Sequence, residues 1–345
     1  MKQIIYFDSI FPYGHKKMNS RVIEILSKSY KVHVLANKGW FDINNDVCVI
    51  HDEGWKTEWK NKLEYAYRML INMIKAAKIC KELQADKIIM SSYDIIGFFV
   101  TRFLLPLQKG KVILVEHNNI DSTRGKIKRL IYLTYANKYK HVVLSEFIKT
   151  HMVELLNVDK EMIYVAAHPI YGVNNPNRVI KYDCCAISNS NDSEFIKKMI
   201  NAEMKEKVFS KNDIKMVIRT TAEQPNADNI VWVSQKISDQ KYNEYINSSR
   251  YIFLATPEEF QYRINGTLID ALGRGLQAIC TKSLFALETS KQYHTLCKLI
   301  GSLDELIEIL GNPNSDVCIS EYNDFLEDHS DARVAKDYEI AIESN

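Results

Sequence analysis

Short apolar runs alternate with longer stretches in which apolar residues recur every three or four positions, and the alternation starts at the beginning of the chain. Ile4–Phe7, Val32–Leu35, Lys87–Met90, Val112–Val115, His141–Leu144 and Met162–Val165 read as strands. Between them, Asn19–Ser29, Lys62–Leu83, Ile95–Leu105, Ile127–Ala136 and Glu146–Leu156 carry the period of amphipathic helices. Such alternation predicts an α/β fold built on a parallel sheet covered by helices. The pattern breaks at His168–Arg178, where two prolines, a glycine and three asparagines interrupt it. It then resumes. Cys184–Ile187, Ile214–Ile218, Ile230–Val233, Tyr251–Leu254 and Ala278–Thr281 read as strands, and Ser193–Met204, Asp239–Ser248 and Thr267–Gly273 as helices. No period of 20–50 residues recurs, so the pattern predicts two doubly wound domains rather than a solenoid. Ligands of such sheets bind at the carboxyl ends of the strands, which directs attention to the loops that follow them.

Composition narrows the class without naming a chemistry. Of 345 residues, 46% are hydrophobic and 26% charged, which excludes a disordered chain. The seven cysteines (48, 80, 184, 185, 280, 297 and 318) show no zinc-ligand spacing and read as free thiols in a reducing compartment. The first residues lack the cleavage site of a signal peptide. The most apolar window, Ile95–Leu107, is interrupted by Arg102 and falls short of the ~20 residues that span a bilayer. A soluble, cytoplasmic protein is expected.

Charge changes the picture more. The net charge of +2 conceals an asymmetry: residues 1–170 hold 26 Lys and Arg against 17 Asp and Glu, and the remainder holds 19 against 26. The basic excess concentrates in Asp121–Lys140, where Arg124, Lys126, Lys128, Arg129, Lys138 and Lys140 face one acid, Asp121, around the apolar run Leu130–Tyr135. Two readings stay open. The segment is a basic amphipathic helix lying on an anionic membrane through Arg124, Lys126, Lys128 and Arg129, or a helix packed on the sheet with a solvated lysine rim. Nucleic acid is not an expected partner, because no recognition module is present and the acidic second half repels a polyanion.

The segment from Tyr251 to Ile279 carries the most chemistry. A strand ends in a polar loop, and a helix opens at Asn265-Gly266-Thr267: Asn265 suits the cap, Gly266 admits a ligand close to the backbone, and Thr267 starts the first turn. A helix start presents free amides and a positive dipole end to an anion, with Arg263 just before it. Asp270, about one turn on, is placed to accept from sugar hydroxyls.

Here the sequence resembles glycosyltransferases of the GT-B fold, most closely the retaining enzymes of family 4. Their Glu-x7-Glu motif aligns with Tyr262 and Asp270, with Ala271 and Gly275 in register, so this chain carries Tyr-x7-Asp. The resemblance implies two Rossmann-like domains facing a cleft: an acceptor domain at 1–172, a nucleotide-sugar domain at 173–325, and terminal helices at 326–345 returning to the first domain. It implies that Asp270 holds the nucleotide ribose. Tyr262 stands where a glutamate contacts the donor sugar, a contact that Glu258 or Glu259 is near enough in sequence to supply. Ser188 and Asn189 occupy the loop where the family places a cation for the diphosphate, which leaves Arg219 and Arg263 as the available cations. The resemblance further implies that Gly14 and His15 form a loop meeting diphosphate or acceptor, and that His117, after the strand Val112–Val115, is the catalytic group toward the donor sugar or departing phosphate.

The implied activity is transfer of a sugar from a nucleotide-sugar donor to a lipid-linked oligosaccharide at the inner face of the cytoplasmic membrane, in bacterial surface polysaccharide synthesis of the O-antigen or capsule type. A retaining course is implied, with neither a metal nor a resident cofactor. A sugar-nucleotide epimerase of the same fold and a non-catalytic GT-B binding module are the alternatives. On this reading, replacing Arg263 or Asp270 by Ala removes donor binding and leaves the fold intact.

Overall fold

The computed structural model describes residues 1–10, 15–44, 46–103, 111–172, 174–175, 177–222, 224, 226–233, 237–312 and 317–344. Its contacts divide the chain into two units. The first comprises Met1–Pro169, Tyr262–Ile264 and His329–Asn345; the second comprises Ile170–Gln261 and Asn265–Asp328.

The first unit is built on a seven-stranded parallel sheet. In chain order the strands are β1 (Gln3–Asp8), β2 (Lys31–Leu35), β3 (Val49–His51), β4 (Lys87–Ser92), β5 (Val112–Val115), β6 (Lys140–Val143) and β7 (Ile163–Val165), in the spatial order β3-β2-β1-β4-β5-β6-β7. Ile5 of β1 pairs with His33 on one side and Ile88 on the other. Ile4, Ile5, Tyr6 and Phe7 are essentially inaccessible to solvent, as central strands covered on both faces require. The order reverses between β1 and β4, bridged by the long helix Lys62–Leu83, which Asn61 caps by accepting from the Glu64 N–H at 3.0 Å.

Crossovers between parallel strands are right-handed. The steps β3 to β4, β4 to β5 and β5 to β6 all run the same way across the sheet. They therefore lay the helices Lys62–Leu83, Ile95–Thr101 and Lys126–Leu133 side by side on one face, each packing on the next. The step β1 to β2 runs the other way and puts the helix Lys16–Leu26 on the opposite face. There it packs against the last helix, Asp331–Glu343, and Arg21 and Lys28 reach Asp331 at 2.9 and 3.0 Å.

The second unit repeats the plan with six strands, β8 (Tyr182–Ala186), β9 (Met216–Arg219), β10 (Ile230–Val233), β11 (Ser249–Leu254), β12 (Gln277–Thr281) and β13 (Cys297–Ile300), ordered β10-β9-β8-β11-β12-β13. Its core gathers Met216, Phe253, Ile279 and Ile300 beneath Ile196, Met199 and Leu306. The reversal falls between β8 and β11, so ligands are expected beyond the carboxyl ends of these strands.

Two boundaries differ from the sequence reading. The first unit ends at Pro169, not 172, because Tyr171 donates to the Gly266 carbonyl at 2.9 Å and Ile170 covers Gly273 within the second unit. The terminal helices separate. Ile319–Asp328 stays with the second unit, where Tyr293 donates to Asp328 at 2.6 Å, and only Asp331–Glu343 returns to the first. Among the described residues, no helix is long and apolar enough to cross a membrane.

Candidate functional site

In the second unit, the loop after β8 and the end of β9 enclose a cavity of about 230 Å³. Ser188, Asn189, Asn191 and Ser193 line one side, and Arg219, Thr220 and Lys197 the other. Three of the expected donor-binding residues, Ser188, Asn189 and Arg219, are thus brought together. The loop is held by its own backbone. Ser188 Oγ accepts from the Ser190 N–H at 3.2 Å, and Asp192 caps the helix Ser193–Glu206 by accepting from the Glu194 N–H at 3.0 Å.

Asn191, which sequence reasoning passed over, accepts from the Ala255 N–H at 3.2 Å through Oδ1. Its Nδ2 is buried at this cavity with no partner. A buried donor without an acceptor costs about 1–3 kcal/mol, and a ligand oxygen in the cavity relieves that cost. The helix start, the Arg219 guanidinium and the Lys197 ammonium (2.7 Å from Glu194) make the cavity suited to an anion. Its volume fits a phosphate or diphosphate and lies below the ~300–1,000 Å³ of a complete small-molecule pocket.

The helix Gly266–Gly273 begins as expected. Asn265 caps it, its Oδ1 accepting from the Thr267 N–H at 3.0 Å. Gly275, at φ +77°, follows its end. Asp270 is fully buried, and its Oδ1 accepts from Arg274 Nε at 2.9 Å. The Tyr242 hydroxyl bonds to the same carboxylate, and the two other Arg274 nitrogens donate to Asn247 and Asn243 at 3.0 and 2.9 Å. Arg274, one turn along the same helix, thus engages one oxygen of the carboxylate expected at a ribose, and the other, Oδ2, is buried without a hydrogen-bond partner. Glu259 is exposed in the loop before it.

Tyr262 and Arg263 belong to the first unit. The Tyr262 N–H donates to Asp121 Oδ1 at 2.7 Å, and Arg263 forms an ion pair with the other oxygen of that carboxylate. The Tyr262 ring stacks on His151 with centroids 3.5 Å apart. Asp121, the one acid of the basic segment, thus serves to hold Arg263.

The first unit carries a cluster of histidines at the reversal between β1 and β4. His15 hydrogen-bonds Ser92 Oγ through Nδ1 at 3.0 Å and lies over His117, centroids 4.0 Å apart and rings 21° from parallel. Gly14 lies outside the described residues. His117 follows β5 and is 8% exposed; its ring hydrogen-bonds the Ser91 backbone, and its Nε2 is buried without a partner. Burial lowers the pKa of all three histidines here. His15, also facing the Arg263 charge, drops to about 4; His168 drops to about 3; His117, beside His15 and His168, falls well below 6.5. All three are neutral at pH 7. The unpartnered Nε2 is the ring atom of His117 left for a ligand.

Behind His117, Glu116 is wholly buried. It accepts from the hydroxyls of Tyr93 and Tyr132 at 2.6 and 3.1 Å and meets His141 Nδ1 at 2.7 Å. His168 hydrogen-bonds the Pro169 carbonyl at 2.9 Å. Of the four basic residues expected at a membrane, Arg124, Lys126 and Arg129 are exposed and Lys128 is half-buried. Lys128 stands 3.9 Å from Asp94, and Arg129 donates to the Leu155 carbonyl at 2.5 Å.

No protein-family model matches the chain, and no curated protein matches it in sequence. Its fold does have likenesses among solved structures. Anabaena Alr3699/HepE, solved with UDP and glucose, superposes with a TM-score of 0.67 at 10% identity over 100% of both chains. WaaG, a glycosyltransferase involved in lipopolysaccharide biosynthesis, gives 0.64 at 11% identity over 99% of this chain and 100% of its own. A putative UDP-N-acetylglucosamine 2-epimerase from Listeria monocytogenes gives 0.62 at 14% identity over 99% and 96%. The architecture is the GT-B fold.

Proposed function

We propose that the chain is a glycosyltransferase that moves a sugar from a nucleotide-sugar donor to a lipid-linked glycan of a bacterial surface polysaccharide, at the inner face of the cytoplasmic membrane. One observation supports this above the others: the cavity beyond β8 and β9, where a helix start, Arg219, Lys197 and the unpartnered Asn191 amide converge as an anion cradle. In this reading the cradle takes the donor diphosphate. The helix start and the two cations stabilise the negative charge that develops as the sugar–phosphate bond breaks, a task for which no metal is invoked. His117, with its buried and unpartnered Nε2, is the group that the family resemblance places toward the donor sugar. The course is retaining, as the family resemblance implies.

The test is incubation with a panel of sugar nucleotides. Slow hydrolysis of one donor, with heat stabilisation by the matching nucleoside diphosphate, supports the transferase. Indifference to all of them overturns it in favour of a binding module. The likeness to the putative epimerase favours a second reading, which the same panel resolves: an epimerase releases the free epimerised sugar without any acceptor, whereas a transferase delivers the sugar to a glycan.

A further inference from the structure

The helix Lys62–Leu83 is apolar on two opposite sides. Met69, Met73, Ala76 and Cys80 face the sheet and are buried. Leu63, Tyr67, Leu70 and Ile74 recur at i, i+4, i+7 and i+11, which at 3.6 residues per turn is one stripe on the far side, and all four are exposed, Leu63 at 83%. The next helix in the layer repeats this: Ile96 and Val100 are exposed, followed by Phe103 at 77%. The third exposes Ile127 at 73% and Leu130 at 69%, and Tyr132 is its one buried side chain. Because the three helices lie side by side on one face of the sheet, their outward residues form one apolar surface. Soluble monomers rarely expose a patch of that extent without a partner.

Charge identifies the partner. Arg102 lies over the Phe99 and Phe103 rings at 4.2 and 4.3 Å, and Lys56 lies over the Tyr67 ring at 4.5 Å, so cations ride on the aromatic members of the surface. Exposed Lys60, Lys62, Lys126 and Arg129 extend the rim and outnumber the exposed acids beside them, Glu58 and Glu64. The acids of the third helix's neighbourhood are withdrawn: Glu116 is buried among tyrosines and Asp121 holds Arg263. A second copy of the chain would set two basic rims against each other, and a polyanionic nucleic acid offers nothing to the leucines. Lipid acyl chains beneath anionic headgroups satisfy both parts.

We infer that this three-helix face docks the protein onto an anionic membrane, with Phe103, Ile127 and Leu130 entering the acyl boundary and the basic residues meeting lipid phosphates. The inference deepens the membrane part of the proposed function and rests on it. Its test does not require glycosyl transfer.

The full chain is floated with vesicles of phosphatidylcholine alone and of phosphatidylcholine with phosphatidylglycerol, while donor hydrolysis is measured separately in solution. Binding to the anionic vesicles is expected to exceed binding to neutral ones. Phe103→Ser with Leu130→Ser is expected to weaken it at least tenfold, and Lys126→Glu with Lys128→Glu at least fivefold per position at low salt. Circular dichroism and donor hydrolysis of both variants should match the wild type, since the altered side chains lie outside the proposed catalytic groups. Absence of wild-type binding to anionic vesicles overturns the inference, as does binding that the serine variant leaves unchanged. A wild-type dimer that the serine variant converts to monomer, without vesicle binding, assigns the face to a second copy and also overturns it. If donor hydrolysis is absent but vesicle binding behaves as expected, the transferase reading fails and the docking face stands.

Discussion

His15 and His117 lie ring over ring, 4.0 Å between centroids, as two neutral imidazoles. Stacking two imidazolium rings at that distance would set like charges together with little water to screen them. The pair therefore depends on both rings being uncharged.

Stability should consequently fall with acid. The folded-state pKa values of His15, His117 and His168 lie below the unfolded value of 6.5. Below pH 6.5 the unfolded chain binds protons that the folded chain refuses, so stability is complete above pH 6.5 and declines as pH falls toward about 4 and below. Each such histidine steepens the decline by up to about 1.4 kcal/mol per pH unit. Denaturant unfolding of His15→Phe between pH 7 and 4.5 should show a slope shallower by as much as one proton. An unchanged slope would remove His15 from the account.

His117→Ala should lower kcat for the donor by about 10²- to 10³-fold, the range for loss of one preorganised polar contact. Affinity for the nucleoside diphosphate should stay within about twofold, because that ligand is assigned to the second unit. The measurement is steady-state donor turnover beside calorimetric titration of the diphosphate; a fall in affinity equal to the fall in kcat would contradict the assignment.

Arg219→Ala should weaken nucleoside diphosphate binding by about tenfold to a hundredfold, the worth of a charge-assisted hydrogen bond. Asn191→Ala should weaken it less and leave the melting temperature of the free protein nearly unchanged, because it removes one unpaired buried donor, Nδ2, and strands another, the Ala255 N–H. Differential scanning calorimetry with and without ligand separates the two effects.

Asp270→Ala should destabilise the second unit by about 3–5 kcal/mol, because it strands the Arg274 guanidinium in the interior. This replaces the sequence-based expectation that the substitution spares the fold. Gly172→Ala should act on the same pair: a Cβ there falls onto the Asp270 and Arg274 side chains, at a cost of about 1–3 kcal/mol. Chemical denaturation followed by far-UV circular dichroism tests both, and full stability of Asp270→Ala would return the carboxylate to a ligand-facing part.

The helix Lys62–Leu83 and the strands Val112–Val115 and Ile230–Val233 were legible to the residue, since apolar period and flanking polar residues fix such elements locally. Two edge strands were not. Val49–His51 is three half-exposed residues, and Cys297–Ile300 carries a lysine at its second position, so neither shows a run long enough to stand out. In the candidate sites, the resemblance to GT-B glycosyltransferases, laid on the loops after the strands, singled out His117, Ser188 and Arg219. The i,i+4 spacing of Asp270 and Arg274 was visible in the sequence, but which way a helical carboxylate turns depends on what is buried around it. The stacking of His15 on His117 and the capture of Arg263 by Asp121 join residues far apart in the chain, and no local pattern encodes them.

The helix Asp331–Glu343 completes the first unit from beyond the entire second one. Its Val334, Tyr338, Ala341 and Ile342 are buried, and its Asp331 and Glu343 reach Arg21 and Tyr30. A ribosome therefore finishes every residue of the second unit before it makes the helix that closes the first. During synthesis the β1 side of the seven-stranded sheet lacks part of its cover while the six-stranded unit already has all its strands. The order of domains in the sequence and the order in which they become complete are opposite.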